Sequence, residues 1–527
     1  MAAAALEKTG IRSNYSCRPS YDLIVIGAGI AGLTTGLIWQ KMRPDDAVLI
    51  IDKEPFPGGY VTAYRRKGFV FETTQLFPDV IDIMDYLGVE FALKRYEGVF
   101  MRRLVVDGET VKEYRLPAGA DNLKAYLQEL FPGEAKKIAG FMDYSVSLFS
   151  QVRKLKAIST AKDKLLTPFA APKVIANFNA TYSDLLDRFG ITDPGLREIM
   201  ETFTSFAGVP PGRASSILTT GAMLSSISRC YRPRGYFDGF PAALARAFQE
   251  RGGEIRLKTP VESVEIADGR AAGIRTAEDA SPVKAGRIVS TVDPNVLIRR
   301  LVGSDRVPRS YLDRLNATVM SPSSLNIALG LDDGIDMASM DLDYPYNVIS
   351  TGLGTADGLF DAFLEGRNGF SEESFHMAVV CPSLTTGGKN TVTLRAVPVA
   401  PGDWLTWKRD DPARYAEEKE KWGGFFVGLA EKYLIPGLSS HIGVMDASTP
   451  ATYARYSGSP TGSLYDMASL VTQFGPKRLG LKTPIENLVQ AKFSHGIYGS
   501  MMGGVQVVDL LLDRAFNGGN SLFAPKK

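Results

Sequence analysis

The sequence predicts an α/β protein, and three observations near its N-terminus support this fold class. Residues 21–27 form a continuous apolar run that ends in glycine, and residues 47–52 form a second such run. Runs of this kind are typical of strands buried on both faces of a parallel sheet. Between them, residues 30–42 place apolar side chains at helical spacing. A strand, a helix and a strand in this order predict a Rossmann-like βαβ unit at the start of the chain.

The composition is that of a folded chain with several domain-sized units. Its 527 residues are 45% hydrophobic and 22% charged, values near the globular average that exclude a disordered or fibrous protein. Lys and Arg number 60 against 58 Asp and Glu, so the charge balance argues against nucleic-acid binding. No apolar run approaches the length of about 18 residues that a transmembrane helix needs.

Cysteine and histidine are too few and too scattered to form a local metal site. The three cysteines contain no C-x-x-C pair, and the three histidines are far apart. We therefore expect no metal and no disulfide framework. Unpaired cysteines fit a reducing compartment, which favours the cytoplasm. Residues 1–20 are expected to be a tail, and their Ser and Arg content leaves a plastid transit peptide open.

A glycine motif stands between the first predicted strand and the first predicted helix. It has the form G-x-G-x-x-G, in which the first glycine permits a tight turn, the second admits a pyrophosphate and the third lets the helix pack close to the strand. The N–H groups at the start of the helix then face the phosphates. The pattern predicts a dinucleotide site whose contacts include Gly27, Ala28, Gly29, Ile30, Ala31 and Gly32.

An acidic residue and a pair of glycines follow the second predicted strand. Asp52 ends that strand, where a carboxylate accepts hydrogen bonds from ribose hydroxyls. Gly58 and Gly59 come soon after it, and paired glycines at this place indicate backbone that passes close beside a long cofactor. The spacing therefore favours FAD over NAD.

The rest of the chain alternates between helical and strand-like regions. Residues 81–230 are predicted to be mostly helical, with prolines as breakers, and residues 412–433 form a charged helical segment. Strands are predicted at residues 252–257, 261–266, 270–275, 324–329, 377–381 and 392–397. We expect a discontinuous cofactor domain, a mixed-sheet and helical substrate domain, and two tails. Their bounds are 21–95, 231–300 and 456–515 for the first, 96–230 and 301–455 for the second, and 1–20 and 516–527 for the tails.

These motifs resemble those of a known group of flavoproteins. The pattern from Tyr21 to Glu72 looks like the flavin-binding start of the amine oxidase and phytoene desaturase superfamily. Further similarity, over nearly the whole chain, is to carotenoid desaturases, carotenoid isomerases and retinol saturases, and its main segments are 231–244, 251–256, 288–294, 435–437 and 458–463. The resemblance implies a glutathione reductase-type FAD domain. It also implies an FAD-dependent oxidoreductase of carotenoid-biosynthesis type, which desaturates, saturates or isomerises a long apolar polyene or isoprenoid.

The resemblance assigns roles to particular residues. It implies that Val261 offers its backbone to the adenine, and that the start of the last helix covers the isoalloxazine through Gly499, Met501 and Met502. Lys53 and Tyr60 complete the expected cofactor contacts. Because a polyene has no acidic proton and no good leaving group, the chemistry would rest on hydride exchange with flavin N5 and on positioning. A quinone is a candidate electron acceptor, and the FAD is expected to be noncovalent because no cysteine falls in a segment expected beside it.

Two departures from the resembled pattern concern the cofactor. The arginine that commonly follows the paired glycines is replaced by Tyr60, and the loop at residues 489–495 is shorter than usual. Lys492 is a candidate for charge compensation beside the pyrophosphate. His495 is a candidate proton donor near the flavin, the one catalytic residue that the sequence suggests. A solvated lysine and a structural histidine are the alternative interpretations.

Residues 152–175 mix lysines with large aliphatic side chains. A segment of this kind can lie in a membrane interface, with apolar side chains at the acyl boundary and lysines toward anionic headgroups. We therefore expect peripheral membrane contact, with a solvated helix face over an ordinary core as the alternative.

Two other functions stay open from the sequence. Flavin amine oxidases share the segment that covers the flavin, so amine oxidation is the second enzyme class. The shortened loop motivates a third class, a flavoprotein-derived binding or assembly protein without catalysis.

Overall fold

The computed structural model describes residues 18–74, 77–78, 80–155, 169–206, 208–228, 230–491 and 496–512. The strands, in chain order, are β1 (Ser20–Ile26), β2 (Val48–Ile51), β3 (Ala63–Arg66), β4 (Phe69–Glu72), β5 (Leu93–Tyr96), β6 (Val99–Asp107), β7 (Thr110–Pro117), β8 (Cys230–Pro233), β9 (Glu254–Arg256), β10 (Val261–Ala267), β11 (Arg270–Thr276), β12 (Val283–Ser290), β13 (Ser323–Leu331), β14 (Tyr346–Thr351), β15 (His376–Val380), β16 (Thr391–Val399), β17 (Ile442–Ser448) and β18 (Leu488–Gln490).

The α-helices connect and cover these strands. In chain order they are α1 (Ile30–Met42), α2 (Ile81–Leu87), α3 (Ala120–Leu130), α4 (Ala135–Leu155), α5 (Pro172–Ala176), α6 (Tyr182–Arg188), α7 (Pro194–Glu201), α8 (Ser216–Ser228), α9 (Gly239–Glu250), α10 (Arg309–Asn316), α11 (Thr355–Leu364), α12 (Ser383–Thr386), α13 (Gly402–Asp410), α14 (Pro412–Tyr433), α15 (Pro450–Ser457) and α16 (Gly496–Leu511). A π-helical segment spans Val296–Val302. None of the helices within the described ranges is long and apolar enough to cross a bilayer.

The first sheet contains the predicted βαβ unit. Its strands run in the order β10-β11-β12-β1-β2-β9, with β18 beside the end of β12, and the pairs of β1 with β12 and β2 are parallel. Alternate residues of β1 reach different cores: Leu23 and Val25 pack under α1, α9 and α16, whereas Ile24 and Ile26 pack on the opposite face. This two-sided burial explains why the strand is apolar throughout.

Helix α16 lies close to α1 because a glycine faces it. A Cβ added at Gly504 would stand 2.9 Å from the carbonyl oxygen of Ala31 and 3.0 Å from the nitrogen of Thr35. Only a residue without a side chain permits backbones this near. The middle of the last helix is thereby held against the helix that follows the glycine motif.

The second sheet is mixed and has the order β17-β13-β16-β15-β14-β6-β7 within the described residues. Strands β14 and β6 pair in parallel, and the other neighbours pair antiparallel. One face packs on α14 through side chains such as Ile349, Met377 and Leu394. The opposite face carries the alternate residues toward the helices between residues 120 and 228.

A buried ion pair joins two small two-stranded sheets, β3 with β4 and β5 with β8. Arg232 on β8 donates to Glu72 at the end of β4 across 2.6 Å, and Glu72 also accepts from the backbone N–H of Phe237 at 2.8 Å. Both charged side chains are almost fully buried. A buried carboxylate and guanidinium are tolerated together because each satisfies the other.

The prediction that residues 81–230 are mostly helical is wrong between Leu93 and Pro117, where β5, β6 and β7 lie. Strands β6 and β7 form a hairpin that turns at Gly108, whose φ is +59°. Strand β6 is completed by β14, which comes far later in the chain. A long-range pairing of this kind cannot be predicted from the local spacing of apolar residues. The segment at 489–495 also begins as strand, because Val489 and Gln490 belong to β18.

Candidate active site

The glycine motif forms a tight turn between β1 and α1. Gly27 has a φ of +109°, and a Cβ there would stand 2.2 Å from Oγ1 of Thr291. A Cβ on Gly32 would stand 1.9 Å from the carbonyl oxygen of Gly27. Both positions therefore require glycine for packing within the protein itself.

The open side of the turn lies at the start of α1. Gly29 precedes the helix, no side chain caps it, and the first turn contains no acidic residue. The N–H groups there keep their capacity for an anion. A Cβ on Gly29 would meet only the Cα of Gly59, at 4.0 Å.

The second pair of glycines lies directly against this turn. The backbone N–H of Gly58 donates to the carbonyl oxygen of Ala28 at 2.9 Å, and Gly58 forms a parallel bridge with Gly29. Gly59 has a φ of +60° and packs against Gly29. Glycine backbone thus lines a cradle, which we define as Gly27, Gly29, Gly32, Gly58 and Gly59. A cradle with free helix N–H groups and no side chains fits a pyrophosphate.

Asp52 borders the cradle at the end of β2. Its Oδ2 accepts from the backbone N–H of Ala28 at 2.7 Å, and its Oδ1 accepts from the N–H of Glu54 at 2.8 Å. Burial raises the pKa of this carboxyl, and the two N–H donors oppose the shift. Each carboxylate oxygen has a further lone pair, so both can still accept a hydroxyl proton from a ribose.

Three other residues were predicted to contact the cofactor, namely Lys53, Tyr60 and Val261. The Nζ of Lys53 donates to the carbonyl oxygen of Arg455 at 3.0 Å and lies 3.4 Å from Oε1 of Glu54. Tyr60 donates to the carbonyl oxygen of Ser463 at 3.0 Å, and burial raises its pKa, so it carries no charge there. Val261 begins β10 close to Asp52, whose carbonyl oxygen accepts from the N–H of Thr259 at 2.9 Å.

The start of α16 connects the cradle region to a large cavity. Gly499 and Met502 line this cavity, together with Gly496, Ile497 and Tyr498. Met501 instead lies in the core between α16 and α1 and is fully buried. The segment predicted to cover the flavin therefore presents one face to the cavity and the other to α1.

The cavity has a volume of about 760 Å³ and is mostly apolar. Its floor is one face of the second sheet, formed by alternate residues of neighbouring strands, among them Met101, Tyr346, Val348, Ala378 and Val397. Its opposite wall comes from the helices between residues 149 and 226, with Phe149, Val152, Val174 and Ile217.

Several titratable residues in the cavity wall were missed by sequence reasoning. They are Arg103, Glu198, Glu201, His376, Arg395 and Arg478. Arg395 is fixed by two contacts, from Nε to Oδ1 of Asn326 at 3.2 Å and from Nη2 to the carbonyl oxygen of Thr73 at 2.5 Å. The available signal was a polar residue inside an apolar strand run, as at Arg103 and Arg395.

The remaining residues considered from the sequence are either outside the described residues or away from the cavity. His495 and Lys492 lie outside the described residues. Cys230 and Cys381 are buried free thiols, and burial raises the pKa of Cys230 and that of Cys381, the latter to about 12. Neither of these two thiols lines the cavity.

Curated relatives cover most of the chain at low identity. The chloroplastic prolycopene isomerase of Arabidopsis thaliana is 23% identical over 83% of this chain and 72% of its own length. The inactive all-trans-retinol 13,14-reductase of Danio rerio is 22% identical over 94% and 86%. The phytoene dehydrogenase of Streptomyces griseus is 25% identical over 87% and 88%. These names confirm the resemblance drawn from the sequence.

Solved structures share the fold. A redesigned putrescine oxidase superimposes with a TM-score of 0.62 at 14% identity, over 94% of this chain and 99% of that chain. Cyclohexylamine oxidase from Brevibacterium oxydans gives a TM-score of 0.57 at 14% identity, over 94% and 99%. The predicted fold class, a Rossmann-like FAD domain with a mixed-sheet and helical second region, is confirmed.

A family model covers the glycine motif, the first sheet apart from β18, and part of the second sheet. It is described as FAD dependent oxidoreductase, and it matches residues 22–351. The match includes the cradle, Asp52 and the buried ion pair described above. The chain therefore belongs to the family of FAD dependent oxidoreductases.

Proposed function

We propose that this flavoprotein changes the double bonds of a long apolar polyene or isoprenoid, by desaturation, saturation or cis–trans isomerisation. The observation that carries the proposal is the apolar cavity of about 760 Å³ that begins at the start of α16. A site that binds chiefly through apolar area suits a hydrocarbon chain. The names of the relatives support the same class, since they include a phytoene dehydrogenase and a prolycopene isomerase.

The cofactor would be held by the cradle and its neighbours. The glycine backbone and the helix start would receive the pyrophosphate, Asp52 the ribose, the backbone of Val261 the adenine, and the α16 start the isoalloxazine. When bound, the flavin supplies hydride exchange at N5. Tyr60 stands where the resembled pattern has a cation, so backbone N–H groups, with Lys492 as a further candidate, would stabilise the phosphate charge.

The chain's own residues contribute positioning. The apolar walls exclude water and hold an extended substrate against the α16 start. Arg395 stands rigidly at the cavity wall, and its bond to Thr73 ties that wall to the hairpin that follows the cradle.

The FAD is proposed to be noncovalent. Cys230 and Cys381 are buried in the core, where a raised pKa keeps each thiol protonated and unreactive. Neither reaches the cavity. No described cysteine is therefore placed to form a thioether with a flavin.

Membrane contact is proposed near one wall of the cavity. Phe169 is 83% exposed and Ile175 is 48% exposed, which is unusual for such large apolar side chains. Their neighbours Val152 and Val174 line the cavity. A water-insoluble substrate could then pass from the bilayer boundary to the cavity without crossing water. A quinone, itself membrane-borne, is the proposed electron acceptor.

The proposed domain division follows the two sheets. Apart from Ser20 at the beginning of β1, strands β1, β2, β9 to β12 and β18 fall within the residues assigned to the cofactor domain. Strands β6, β7 and β13 to β17 fall within those assigned to the substrate domain. The cavity draws residues from both.

The test is turnover by the flavin-loaded protein. It is incubated with carotenoid precursors, retinoids and unsaturated fatty acids under oxidising and under flavin-reducing conditions, and the products are separated by chromatography. We expect a changed double-bond pattern or geometry in at least one polyene. Amine oxidation is the second candidate because solved amine oxidases share the fold. Rapid flavin reduction by an amine with release of peroxide, and no change in any polyene, would replace the proposal with it. A folded protein that retains no flavin would indicate a binding or assembly role.

A further inference from the structure

A group of polar side chains lies in the cavity wall away from the cradle. Arg103 is 5% exposed and Glu198 is 8% exposed, and both line the cavity with His376. Among the described residues, no carboxylate lies within 4.0 Å of the Arg103 guanidinium. Its Nη1 makes a long hydrogen bond of 3.4 Å to the carbonyl oxygen of Leu104. The Nε of Arg103 and the Nε2 of His376 are buried without a hydrogen-bond partner.

This group is far from the flavin side of the cavity. Arg103 on β6 is in register with Val348 on β14, which is in register with Ala378 on β15, which faces Arg395 on β16. Three strand spacings of about 4.8 Å place Arg103 about 14 Å from Arg395. Arg395 is bonded to Thr73, and that residue's Oγ1 donates to the carbonyl oxygen of the cradle neighbour Tyr60 at 2.6 Å.

The group formed by Arg103, Glu198 and His376 has both hydrogen-bond donors and hydrogen-bond acceptors without partners in the described part of the chain. Buried polar groups without partners are costly, so natural proteins leave them mainly where a ligand or water completes them. Arg103 offers donors only, and the Glu198 carboxylate offers acceptors. Its Oε1 stands beside the end of β14, 3.3 Å from where a Cβ on Gly352 would be. The pair is too far apart to form a salt bridge and close enough to influence each other's charge.

The charges of the group balance each other. Burial, together with the nearby Arg103, lowers the pKa of His376 to about 3, so the imidazole is neutral. Burial raises the pKa of Glu198, and Arg103 opposes that shift. One positive and one negative side chain leave no net charge for an ionic ligand to neutralise.

We propose that Arg103, Glu198 and His376 bind a hydroxyl group at the end of the substrate, so that the substrate is an isoprenoid alcohol rather than a pure hydrocarbon. The hydroxyl oxygen accepts from Arg103 while its proton is donated to Glu198, which satisfies both side chains at once. A hydrocarbon would leave both unfilled, and a carboxylate would place an anion beside Glu198. This inference rests on the proposed function, because it names the substrate class of the same cavity.

The experiment is equilibrium binding to the flavin-loaded protein with three ligands of one skeleton. They are all-trans-retinol, its deoxy hydrocarbon and retinoic acid, and binding is followed by the change in ligand fluorescence or flavin absorbance. We expect the alcohol to bind at least about tenfold more tightly than the hydrocarbon, as for a hydrogen bond to a charged group. Arg103→Met should remove that preference while the affinity for the hydrocarbon stays within about threefold.

Two further variants make the result decisive. Arg115→Met alters an exposed arginine on the neighbouring strand β7, outside the cavity wall, and should keep the preference. Glu198→Met should remove it as Arg103→Met does, and it decides the question if Arg103→Met does not fold with flavin. Equal binding of alcohol and hydrocarbon, tightest binding of the acid, or a preference that survives these substitutions would overturn the inference. If the hydrocarbon binds equally well and is converted, the proposed function stands and only the hydroxyl site fails. If none of the ligands binds and no polyene is converted, both fail.

Discussion

The backbone N–H of Ala28 donates to Oδ2 of Asp52 across 2.7 Å, which joins the turn after β1 to the end of β2. The same carboxylate accepts from the N–H of Glu54 through its other oxygen. Asp52 therefore holds the shape of the cradle and also borders the space expected for a ribose. Its removal should affect both the turn and the cofactor.

Asp52→Ala should weaken FAD retention about tenfold or more, because a charge-assisted hydrogen bond is worth roughly 1.5 to 3 kcal/mol. The dissociation constant of FAD, measured by titration of the apoprotein, checks this. Asp22→Ala is the matched control, since Asp22 also accepts a backbone N–H, that of Ala47 at 2.8 Å, but near the beginning of β1. Unchanged FAD affinity in folded Asp52→Ala would remove this residue from the site.

Two glycines of the motif should respond to alanine in different ways. Gly29→Ala should leave the stability of the apoprotein unchanged, because φ is −71° there and the nearest atom to a new Cβ is 4.0 Å away. It should lower FAD affinity, because the methyl group would enter the cradle. Gly32→Ala should destabilise the apoprotein itself by roughly 1 to 3 kcal/mol, since its Cβ would overlap the carbonyl oxygen of Gly27. Denaturant unfolding of both apoproteins, with FAD titrations, separates the two effects. Unchanged FAD affinity in folded Gly29→Ala would argue against a cofactor at Gly29, and equal loss of apoprotein stability in both variants would contradict the open space beside Gly29.

Acid or heat should release the flavin into solution. The described thiols are buried and do not line the cavity, so no covalent bond to them is expected. The measurement is the absorption spectrum of the supernatant and of the precipitate after denaturation. A yellow precipitate under a colourless supernatant would show a covalent link.

Replacing Phe169 and Ile175 together with Asp should weaken binding to anionic liposomes about tenfold or more, because each apolar side chain contributes roughly 1.5 to 3 kcal/mol when it enters an apolar phase. Met445→Asp is the control, since this residue is also apolar and 39% exposed but lies on β17, an edge strand of the second sheet outside the 152–175 segment. Liposome sedimentation measures the binding. If liposome binding is unchanged by these substitutions and also by joint replacement of the lysines, this segment is excluded as the membrane contact. The lysines are Lys154, Lys156, Lys162 and Lys164.

His376 should make the protein less stable in mild acid. Its pKa is lowered to about 3 in the fold by burial and by Arg103, whereas an unfolded chain binds the proton near pH 6.5. The stabilisation is thus complete above about pH 6.5 and falls by roughly 1.4 kcal/mol for each pH unit below it. His376→Gln should lose this part of the pH dependence. Unfolding free energies of both proteins between pH 7 and pH 5 test it, and parallel curves would contradict it.

The parts of the site that the sequence determined are those made by neighbouring residues. The apolar run of β1, the three glycines and the helical spacing of α1 follow one another within about two dozen residues, so the turn could be predicted from local rules. Asp52 followed from the same unit, because a βαβ crossover brings the end of β2 beside the turn. The helix at Pro412–Tyr433 was also predicted correctly, since its periodicity lies within a single segment.

Only the tertiary structure decided which residues line the cavity. Arg103 on β6 and His376 on β15 line one cavity because β6 pairs with β14 and β14 pairs with β15. Glu198 on α7 joins them because its Oε1 stands beside Gly352, just after β14. Strand alternation restricts a side chain to one of two faces, but it does not say which strands become neighbours or in what register. The same limit applies to Met501: the family resemblance implied a place beside the flavin, and the packing of α16 on α1 buries this side chain in the core. The dinucleotide turn is determined by residues that are neighbours along the chain. The cavity is determined by pairings between distant segments, and the contacts that stabilise those pairings cannot be inferred from any local sequence pattern.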